Sequence, residues 1–548
     1  MATCLWVCLS RMQELCREGV DFRRAALRAS PLLWSLCVLI LATGFASGQD
    51  DLEVKDSPTT MKAKKLAERL DQLIEARWKR YEVQPAPLAS NETYFRRLSL
   101  DLQGRIPTLI ETDDFLDDDR ENKRSIWIEQ MLASRRNSEH LANSWGSVLL
   151  PDKVESTTLG TRAAFQQTLR MYFEKNTSYQ VLARNIITNQ NRFNRQGLGS
   201  FYQLHGNTPE SMATATSRVF LGVKLDCAQC HAHPFAEWTQ DQFWEMAAFF
   251  NASRLVRNTK SGRTPAIQIP KTKKVVVAKF LNGAEPDFRS VSSGRQVLAD
   301  WVVSNKNPYF ARATVDHLWM TYFGVSLFEP ILQDDADAIT HPKLLDTLAK
   351  AFIDSDYDIK FMVRAIVHTK AYQRSTQNQS EGPIQLALFA RMPVRMLTAE
   401  QMYDSIITAT SPGYIRSDVQ TMVAPFNPYQ PIQSPRFRFL LKFPEQKDFA
   451  KNQTSILQAL HMMNGQWLAN RVDGKTNKAI LDLVRSNVSL ERKIQSFYMM
   501  ILSRLPNEDE ARRYLRYVAN AKTKEDQAVR FSNIAWAMLN SAEFRVNH

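Results

Sequence analysis

The sequence predicts a mainly α-helical protein with two helical domains joined by a short segment of strands and irregular chain. Gly is scarce, with 18 residues among 548, which argues against a β-propeller or another turn-rich β fold. Long stretches carry Ala, Leu, Glu, Lys, Arg and Gln, with apolar residues at helical spacing. One stretch, residues 251–295, departs from this pattern with the run KTKKVVV and several Gly and Pro residues, and it predicts one or two strands.

Residues 1–48 have the order of a secretory signal peptide. A basic region with five Arg precedes the short apolar run PLLWSLCVLILAT, and Ala46-Ser47-Gly48 places small residues at the cleavage position. The apolar run is short for a membrane span. We therefore predict an exported protein located in the periplasm, the cell envelope or the extracellular space. Membrane contact is expected only if this segment is retained as a signal anchor.

Export changes what the cysteines can do. Four of the six cysteines lie within residues 1–48, so the exported chain keeps only Cys227 and Cys230. Exported proteins often use disulfides that close long loops, and two cysteines three positions apart cannot do so. These two residues are therefore candidates for ligand chemistry.

Helical periodicity defines the first domain, residues 60–255. An amphipathic helix is predicted over 61–81, and further helices over 123–132, 139–148 and within 165–187. Residues 256–295 form the connecting segment. A second helical domain is predicted over 296–548, where an apolar helix at 310–323 and a helix opened by His341-Pro342 are the clearest elements.

The chemistry of the chain is concentrated between Phe220 and Phe250. Cys227, Cys230 and His231 form the C-x-x-C-H pattern that is typical of c-type haem attachment. Two cysteines at this spacing can reach the two vinyl groups of a porphyrin, and the adjacent His can serve as the proximal iron ligand. A helix begun by Thr208-Pro209 and ended near Gly222, and a second begun by a capping box at Thr239 and Gln242, would leave the motif in a short loop between them.

The motif alone leaves three interpretations open. Under haem attachment, Met246 is a candidate sixth ligand, although it fits equally the apolar stripe of Phe243, Met246, Ala247 and Phe250. A zinc site would use Cys227, Cys230, His231 and His233, but the usual wide gap between ligand pairs is missing. The third interpretation has no cofactor and a local disulfide between the two cysteines.

The net positive charge of the chain indicates which classes of partner it could bind. The formal charge is +13, and removal of residues 1–48, with five Arg and three acidic residues, leaves +11. Such a balance indicates either a solvated basic surface or affinity for polyanions such as acidic polysaccharide. The sequence contains no nucleic-acid-binding motif, and export argues against a nucleic-acid partner.

The chain resembles secreted planctomycete proteins that pair a cytochrome-like domain of unknown function with a planctomycete-specific domain of unknown function. The first domain is matched by RRLSLDLQGRIP at residues 96–107 and by FLGVKLDCAQCHAHPFAEWTQ at 220–240. The second is matched by TVDHLWMTYFG, YDIKFMVRAIVHTKAYQRS, RMLTAEQMYDSI and SILQALHMMNG. The sequence departs from the family at Ala232, where an acidic residue or Asn is common, and at Asp316-His317, where Asn-Arg is usual.

This resemblance implies a haem-associated or redox role. The sequence shows no phosphate loop, no H-E-x-x-H motif and no nucleophile–base pair, so it names no enzymatic reaction. We expect an exported protein that carries one haem c on Cys227, Cys230 and His231 and exchanges electrons with a redox partner. The alternative is a protein, with or without a metal, that binds or acts on acidic polysaccharide at the cell envelope.

Overall fold

The computed structural model describes residues 56–151, 159–189, 197–231, 238–258, 262–290, 293–328, 341–377, 382–411, 435–440 and 456–548. The predicted signal peptide, residues 1–48, lies outside the described residues, as does His233. The described residues belong to one compact unit, Asp56–His548.

Helices make up the chain before the strands. Four of the first five begin at a serine or threonine whose hydroxyl accepts a hydrogen bond from a backbone N–H of the first turn, which satisfies a group that the helix itself cannot pair. The helices are α1 Pro58–Arg80, α2 Asn91–Gln103, α3 Leu109–Leu116, α4 Lys123–Ala133, α5 Arg135–Leu149, α6 Leu159–Glu174, α7 Tyr179–Thr188, α8 Ser200–Leu204, α9 Pro209–Leu221 and α10 Gln240–Ala248.

A three-stranded antiparallel sheet follows α10, within the segment predicted to contain strands. Its strands are β1 Leu255–Asn258, β2 Gly262–Gln268 and β3 Val275–Val277, in the spatial order β1-β2-β3. Val276 and Ile267 are register partners and both are buried, so one side of the sheet packs on the helical core. Val275 and Val277 point to the other side and are exposed.

Helices resume after the sheet. They are α11 Gly294–Val302, α12 Phe310–Phe323, α13 Pro342–Asp354, α14 Ile359–His368, α15 Pro383–Ala387, α16 Ala399–Ala409, α17 Pro435–Leu440, α18 Ile456–Asn464, α19 Gln466–Val472, α20 Lys478–Arg485, α21 Leu490–Leu502, α22 Glu508–Ala519 and α23 Lys524–Leu539. A two-stranded antiparallel pair joins β4 Arg395–Met396 to β5 Val546–Asn547. The prediction of a mainly α fold with helical regions on both sides of a strand-containing segment is confirmed.

The described apolar side chains form two large buried clusters. The first runs from Ala63 to Met392 and therefore takes residues from both sides of the sheet. The second takes residues from Leu397 to Phe544, together with Leu100 and Ile106 of the first helical region. The two clusters meet along the chain between residues 392 and 397. This division of the apolar core does not test the predicted domain limits at 255/256 and 295/296, which stay a prediction.

The longest described helix is α1, with 23 residues. It buries Ala63, Leu70 and Ile74 on one face and exposes Lys62 and Lys65 on the other, as expected of an amphipathic surface helix. In the part of the chain that the structure describes, we find no helix with the length and apolar character needed to span a bilayer.

Asp101 of α2 lies at the centre of a buried polar cluster that ties distant segments together. Its carboxylate accepts hydrogen bonds from the Tyr372 hydroxyl at 2.9 Å, from the Arg395 guanidinium at 2.8 and 2.9 Å, and from the Asn547 amide at 2.9 Å. These partners come from the segment after α14, from β4 and from β5. We call Asp101 with these three residues the Asp101 cluster.

Two neighbouring arginines of α2 extend this cluster. Arg96 donates to the carbonyl oxygens of Ile501 and Phe544, each at 3.2 Å, and Arg97 donates to the carbonyl oxygen of Tyr372. Both side chains are about 1% exposed, and their burial lowers the pKa of each guanidinium to about 10. Both therefore stay charged at neutral pH, and the motif RRLSLDL is explained by its packing inside the fold.

Candidate functional site

Helix α9 leads the chain into the C-x-x-C-H motif as predicted. The Thr208 hydroxyl accepts from the Ser211 N–H at 3.2 Å in a capping box, and Pro209 occupies the first helical position. The helix ends at Gly222, whose φ of 67° is a left-handed conformation. A Cβ at this glycine would lie 3.2 Å from the Cβ of Ala313 on α12, so glycine permits both the turn and the close packing.

The motif itself lies on one turn of 3₁₀ helix, Asp226–Gln229, and the residues that follow it. Leu225 and Ala228 are fully buried and anchor this turn in the first apolar cluster. Cys227, Cys230 and His231 are exposed. The turn thus buries its apolar residues and presents its two thiols and the imidazole to solvent.

Helix α10 holds the backbone of the motif from the other side. The Gln240 side-chain amide donates to the Cys230 carbonyl oxygen at 3.0 Å and to that of Gln229 at 3.3 Å. The Trp244 indole N–H, one turn further along α10, donates to the same Gln229 oxygen at 3.2 Å. The end of the 3₁₀ turn is therefore fixed by two side chains of one helix face.

The capping box that begins α10 is also confirmed. The Thr239 hydroxyl accepts from the Gln242 N–H at 3.3 Å, and the Gln242 side chain accepts from the Thr239 N–H at 2.9 Å. Because this box fixes where α10 begins, it also fixes where Gln240 stands. The local sequence thus sets the position of the residue that holds Cys230.

The four apolar residues predicted to share one helical stripe, Phe243, Met246, Ala247 and Phe250, are all buried, although Phe250 lies two residues past the end of α10. The Met246 side chain is fully buried in the first apolar cluster, which accounts for it as a packing residue. Its assignment as a sixth haem ligand stays a prediction.

The structure brings Cys227, Cys230 and His231 together on one exposed turn, with both cysteines as free thiols. His233, the fourth member of the predicted zinc set, lies outside the described residues. Within the described ranges, we find no group of three or more His, Cys, Asp and Glu side chains placed to hold a metal ion. The zinc set of four residues is therefore untested.

The residues of this turn fit a covalently attached haem in donor chemistry. Attachment needs two accessible thiols, and these are free and exposed. It also needs an imidazole beside the second thiol, and His231 is adjacent and exposed. The fit rests on these three side chains.

Sequence reasoning did not identify Gln240 and Trp244 as residues of the site. Their positions differ by four, so they lie on the same face of a helix, and both carry N–H donors. That spacing is visible in the sequence. What it does not reveal is that this face turns toward the carbonyl groups of residues 229 and 230.

Two family models match the chain, one on each side of the sheet. Residues 69–255 match PSCyt2, described as a protein of unknown function (DUF1549), and residues 294–447 match PSD1, described as a protein of unknown function (DUF1553). No curated protein and no solved structure matches the chain. The name PSCyt2 hints at a cytochrome-like domain without stating an activity. The chain thus belongs to the proteins that pair a PSCyt2 domain with a PSD1 domain, both of unknown function.

Proposed function

We propose that Cys227, Cys230 and His231 attach one c-type haem and that the protein transfers electrons outside the cytoplasm. The observation that carries the proposal is the exposure of two free thiols and the following imidazole on one turn. Leu225, which precedes the two thiols, and Ala228, which lies between them, are buried. A cysteine kept only for packing is usually buried. Solvent-facing thiols in this pattern are the arrangement that covalent haem attachment requires.

The three side chains would have separate tasks. Each thiol would add its S–H across one vinyl group of the porphyrin, which forms a thioether and releases no other product. The His231 imidazole would bind the iron as the proximal ligand. The bound group would supply one-electron redox chemistry, while Gln240 and Trp244 hold the backbone that carries the second thiol.

Export supports this assignment. The signal segment predicted at residues 1–48 would take the chain out of the cytoplasm. The attachment of c-type haem takes place outside the cytoplasm. We therefore place the protein in the periplasm, the cell envelope or the extracellular space. N-terminal sequencing of the native protein should find a start close to residue 49, and a start at Met1 or Met12 would contradict export with cleavage.

A visible spectrum decides between haem and the other interpretations. The protein should be produced with its signal segment in a host that matures c-type cytochromes, and the purified chain should carry a covalent pigment in about one-to-one ratio. Cys227→Ala with Cys230→Ala should abolish the pigment. His233→Ala, two positions after His231 in the sequence, is the control and should leave it.

A colourless protein would overturn the haem assignment. If elemental analysis then found about one zinc per chain, and if His233→Ala lowered it, the site would be the zinc site of Cys227, Cys230, His231 and His233. If no metal were found and the two cysteines were joined, the turn would be a structural clip.

A second candidate function is the binding of acidic polysaccharide at the cell envelope, which the formal charge of +11 left after removal of residues 1–48 favours. This function needs no pigment, so the two candidates can be separated. Binding of polygalacturonate that is equal in the pigmented protein and in the Cys227→Ala, Cys230→Ala variant would support it, and no binding at low salt would exclude it.

A further inference from the structure

Asp404 of α16 lies between two arginines that come from distant parts of the sequence. Its Oδ1 accepts a hydrogen bond from Arg436 of α17 at 2.7 Å, and its Oδ2 lies 3.8 Å from the Arg136 guanidinium of α5. The three side chains are 13–26% exposed, so they are largely buried and still reach solvent. We call Asp404 with these two arginines the Asp404 site.

The two arginines are not equally compensated. Burial alone would lower the pKa of the Arg436 guanidinium, but the carboxylates of Asp404 and Glu400 outweigh it and raise that pKa. The pKa of Arg136 is lowered, by burial and by the neighbouring charge of Arg105. Arg136 lies beyond hydrogen-bond distance of Asp404 and donates no hydrogen bond to any residue that the structure describes. An additional anion beside Arg136 would therefore be stabilised.

Two further polar groups of α16 border the Asp404 site. The Arg436 guanidinium carbon lies 5.7 Å from the centre of the Tyr403 ring, and Glu400 lies four residues before Asp404, on the same helix face. Both side chains are half-buried. Within the described ranges, the Tyr403 hydroxyl makes no hydrogen bond and the Glu400 carboxylate makes no ion pair. These groups keep hydrogen-bonding capacity for a ligand.

The Tyr403 ring is held by aromatic packing. It stacks on Trp467 of α19 with ring centres 5.1 Å apart, and it meets Phe439 of α17 edge-on at 5.5 Å. The hydroxyl takes no part in these ring contacts. Its position is therefore set by the apolar ring, and removal of the hydroxyl alone should leave the packing intact.

Helix α16 is fixed against the first helical region by two buried hydrogen bonds. The Ser405 hydroxyl accepts from the Ile106 N–H at 3.2 Å, and the Gln401 amide donates to the Leu100 carbonyl oxygen at 3.0 Å. Arg136 lies within the residues matched by PSCyt2, whereas Asp404 and Arg436 lie within those matched by PSD1. The Asp404 site thus takes side chains from both matched domains, and neither domain alone contains it.

We propose that the Asp404 site, with Tyr403 and Glu400, binds a carboxylate-bearing sugar unit of an acidic polysaccharide. Arg136 pairs with the sugar carboxylate, since a guanidinium and a carboxylate form charge-assisted hydrogen bonds. Glu400 accepts hydrogen bonds from sugar hydroxyls, and the Tyr403 hydroxyl can donate or accept. A phosphate is less well matched, because the carboxylates of Asp404 and Glu400 repel its higher charge. The inference rests on the second candidate function and gives it a location.

Calorimetric titration of the whole exported chain tests the Asp404 site. The probes are galacturonate, galactose, acetate and inorganic phosphate, and we expect galacturonate to bind most tightly. Arg136→Gln should weaken galacturonate binding about tenfold or more, because a charge-assisted hydrogen bond is lost. Arg136→Lys keeps the charge without the paired donors and should have an intermediate affinity.

The matched control removes the same charge elsewhere. Arg312 contacts Asp346 in an exposed ion pair, and Arg312→Gln should leave galacturonate binding within about twofold. Tyr403→Phe keeps the packed ring and should weaken galacturonate binding about fivefold without lowering the melting temperature. Glu400→Ala should reduce the preference for galacturonate over acetate, because acetate has no hydroxyl for Glu400 to bind.

Three results would overturn the proposal: no galacturonate binding by the wild type, equal weakening by Arg136→Gln and Arg312→Gln, or phosphate binding as tight as that of galacturonate. Titration with polygalacturonate separates this inference from the function on which it rests. If the wild type and Arg136→Gln bind the polymer equally, the polysaccharide function stands and the Asp404 site is wrong. If the wild type does not bind the polymer, both are wrong. Neither result depends on the pigment.

Discussion

The Asp101 cluster and the C-x-x-C-H turn are both built from polar or reactive residues in long sequence motifs. The fold buries the side chains of the first and exposes those of the second. Asp101 is buried and accepts hydrogen bonds from three segments far apart in sequence. Cys227, Cys230 and His231 are all exposed. Folding accounts for the first motif, because it holds helices and strands together. The exposed side chains of the second contribute little packing, so folding does not account for them.

The largest effect should come from breaking the Asp101 cluster. Asp101→Ala leaves the largely buried Arg395 guanidinium, the Tyr372 hydroxyl and the Asn547 amide without their shared acceptor. We expect a loss of about 3–5 kcal/mol in the free energy of unfolding, because a buried charge becomes uncompensated. Urea unfolding followed by circular dichroism measures it.

The matched control removes an aspartate from an exposed ion pair. Asp346 contacts Arg312, and both side chains are about half exposed. Asp346→Ala should cost about 0–1 kcal/mol, since water replaces the lost partner. Equal losses in the two variants would show that burial does not separate them and would contradict our account of α2.

A second effect should appear in the acid range through His341. Its ring lies 5% exposed, its Nε2 contacts the Ala387 carbonyl oxygen at 2.8 Å, and burial lowers its pKa to about 4. In the unfolded chain the pKa is about 6.5. The unfolded state therefore takes up the proton first, and the stability that neutral His341 contributes is fully present above about pH 6.5 and is lost as the pH falls toward about 4.

The contribution of His341 can be isolated by substitution. The pKa difference corresponds to at most about 3 kcal/mol of stability lost between pH 7.5 and 4.0. His341→Gln keeps a polar side chain and should lose correspondingly less over this range, whatever its stability at pH 7.5. His548, whose pKa is also lowered to about 4 by burial, keeps its share of the slope in both proteins. Identical pH profiles for wild type and variant would refute the prediction.

A smaller and local effect should follow from loosening the C-x-x-C-H turn. Gln240→Ala removes the donors to the carbonyl oxygens of Gln229 and Cys230, both at exposed positions. We expect a loss of about 1 kcal/mol or less in global stability, together with faster hydrogen exchange of the backbone amides in residues 226–231. Amides of α2 should keep their protection.

Mass spectrometry of exchanged peptides resolves the two regions. Gln203→Ala replaces another exposed glutamine, on α8, and serves as the control that should leave residues 226–231 unchanged. Equal acceleration in α2 and in the turn would mean that they open together, and the contrast between a rigid interior cluster and a locally held turn would fail.

Much of the site could be predicted from the sequence because its determinants are local. The capping box at Thr239, the proline after Thr208 and the glycine at position 222 act within one helical turn, and each appears where it was expected. The strands were also expected within residues 251–295, because β-branched residues and turn residues follow one another there. Short-range signals of this kind need no knowledge of the rest of the fold.

The long-range arrangement could not be predicted in this way. Asp101 meets Asn547 across 446 positions, and no periodicity in either segment indicates that contact. The same holds for the division of the apolar core between residues 392 and 397, well after the sheet.

The smallest effect should come from the thiols themselves, in protein made without haem maturation. Cys227→Ser with Cys230→Ser changes two exposed side chains and should shift the free energy of unfolding by less than about 0.5 kcal/mol. Ala228, between them, is fully buried, so Ala228→Gln should cost about 1–3 kcal/mol by overfilling the packed site. Chemical denaturation compares the three proteins under one condition. A large loss of unfolding free energy in the double serine variant would assign the thiols a structural role and would weaken the case that they are kept for a ligand. A loss confined to Ala228→Gln would show that the turn needs its buried residue for folding. The exposed residues of the turn would then be available for chemistry.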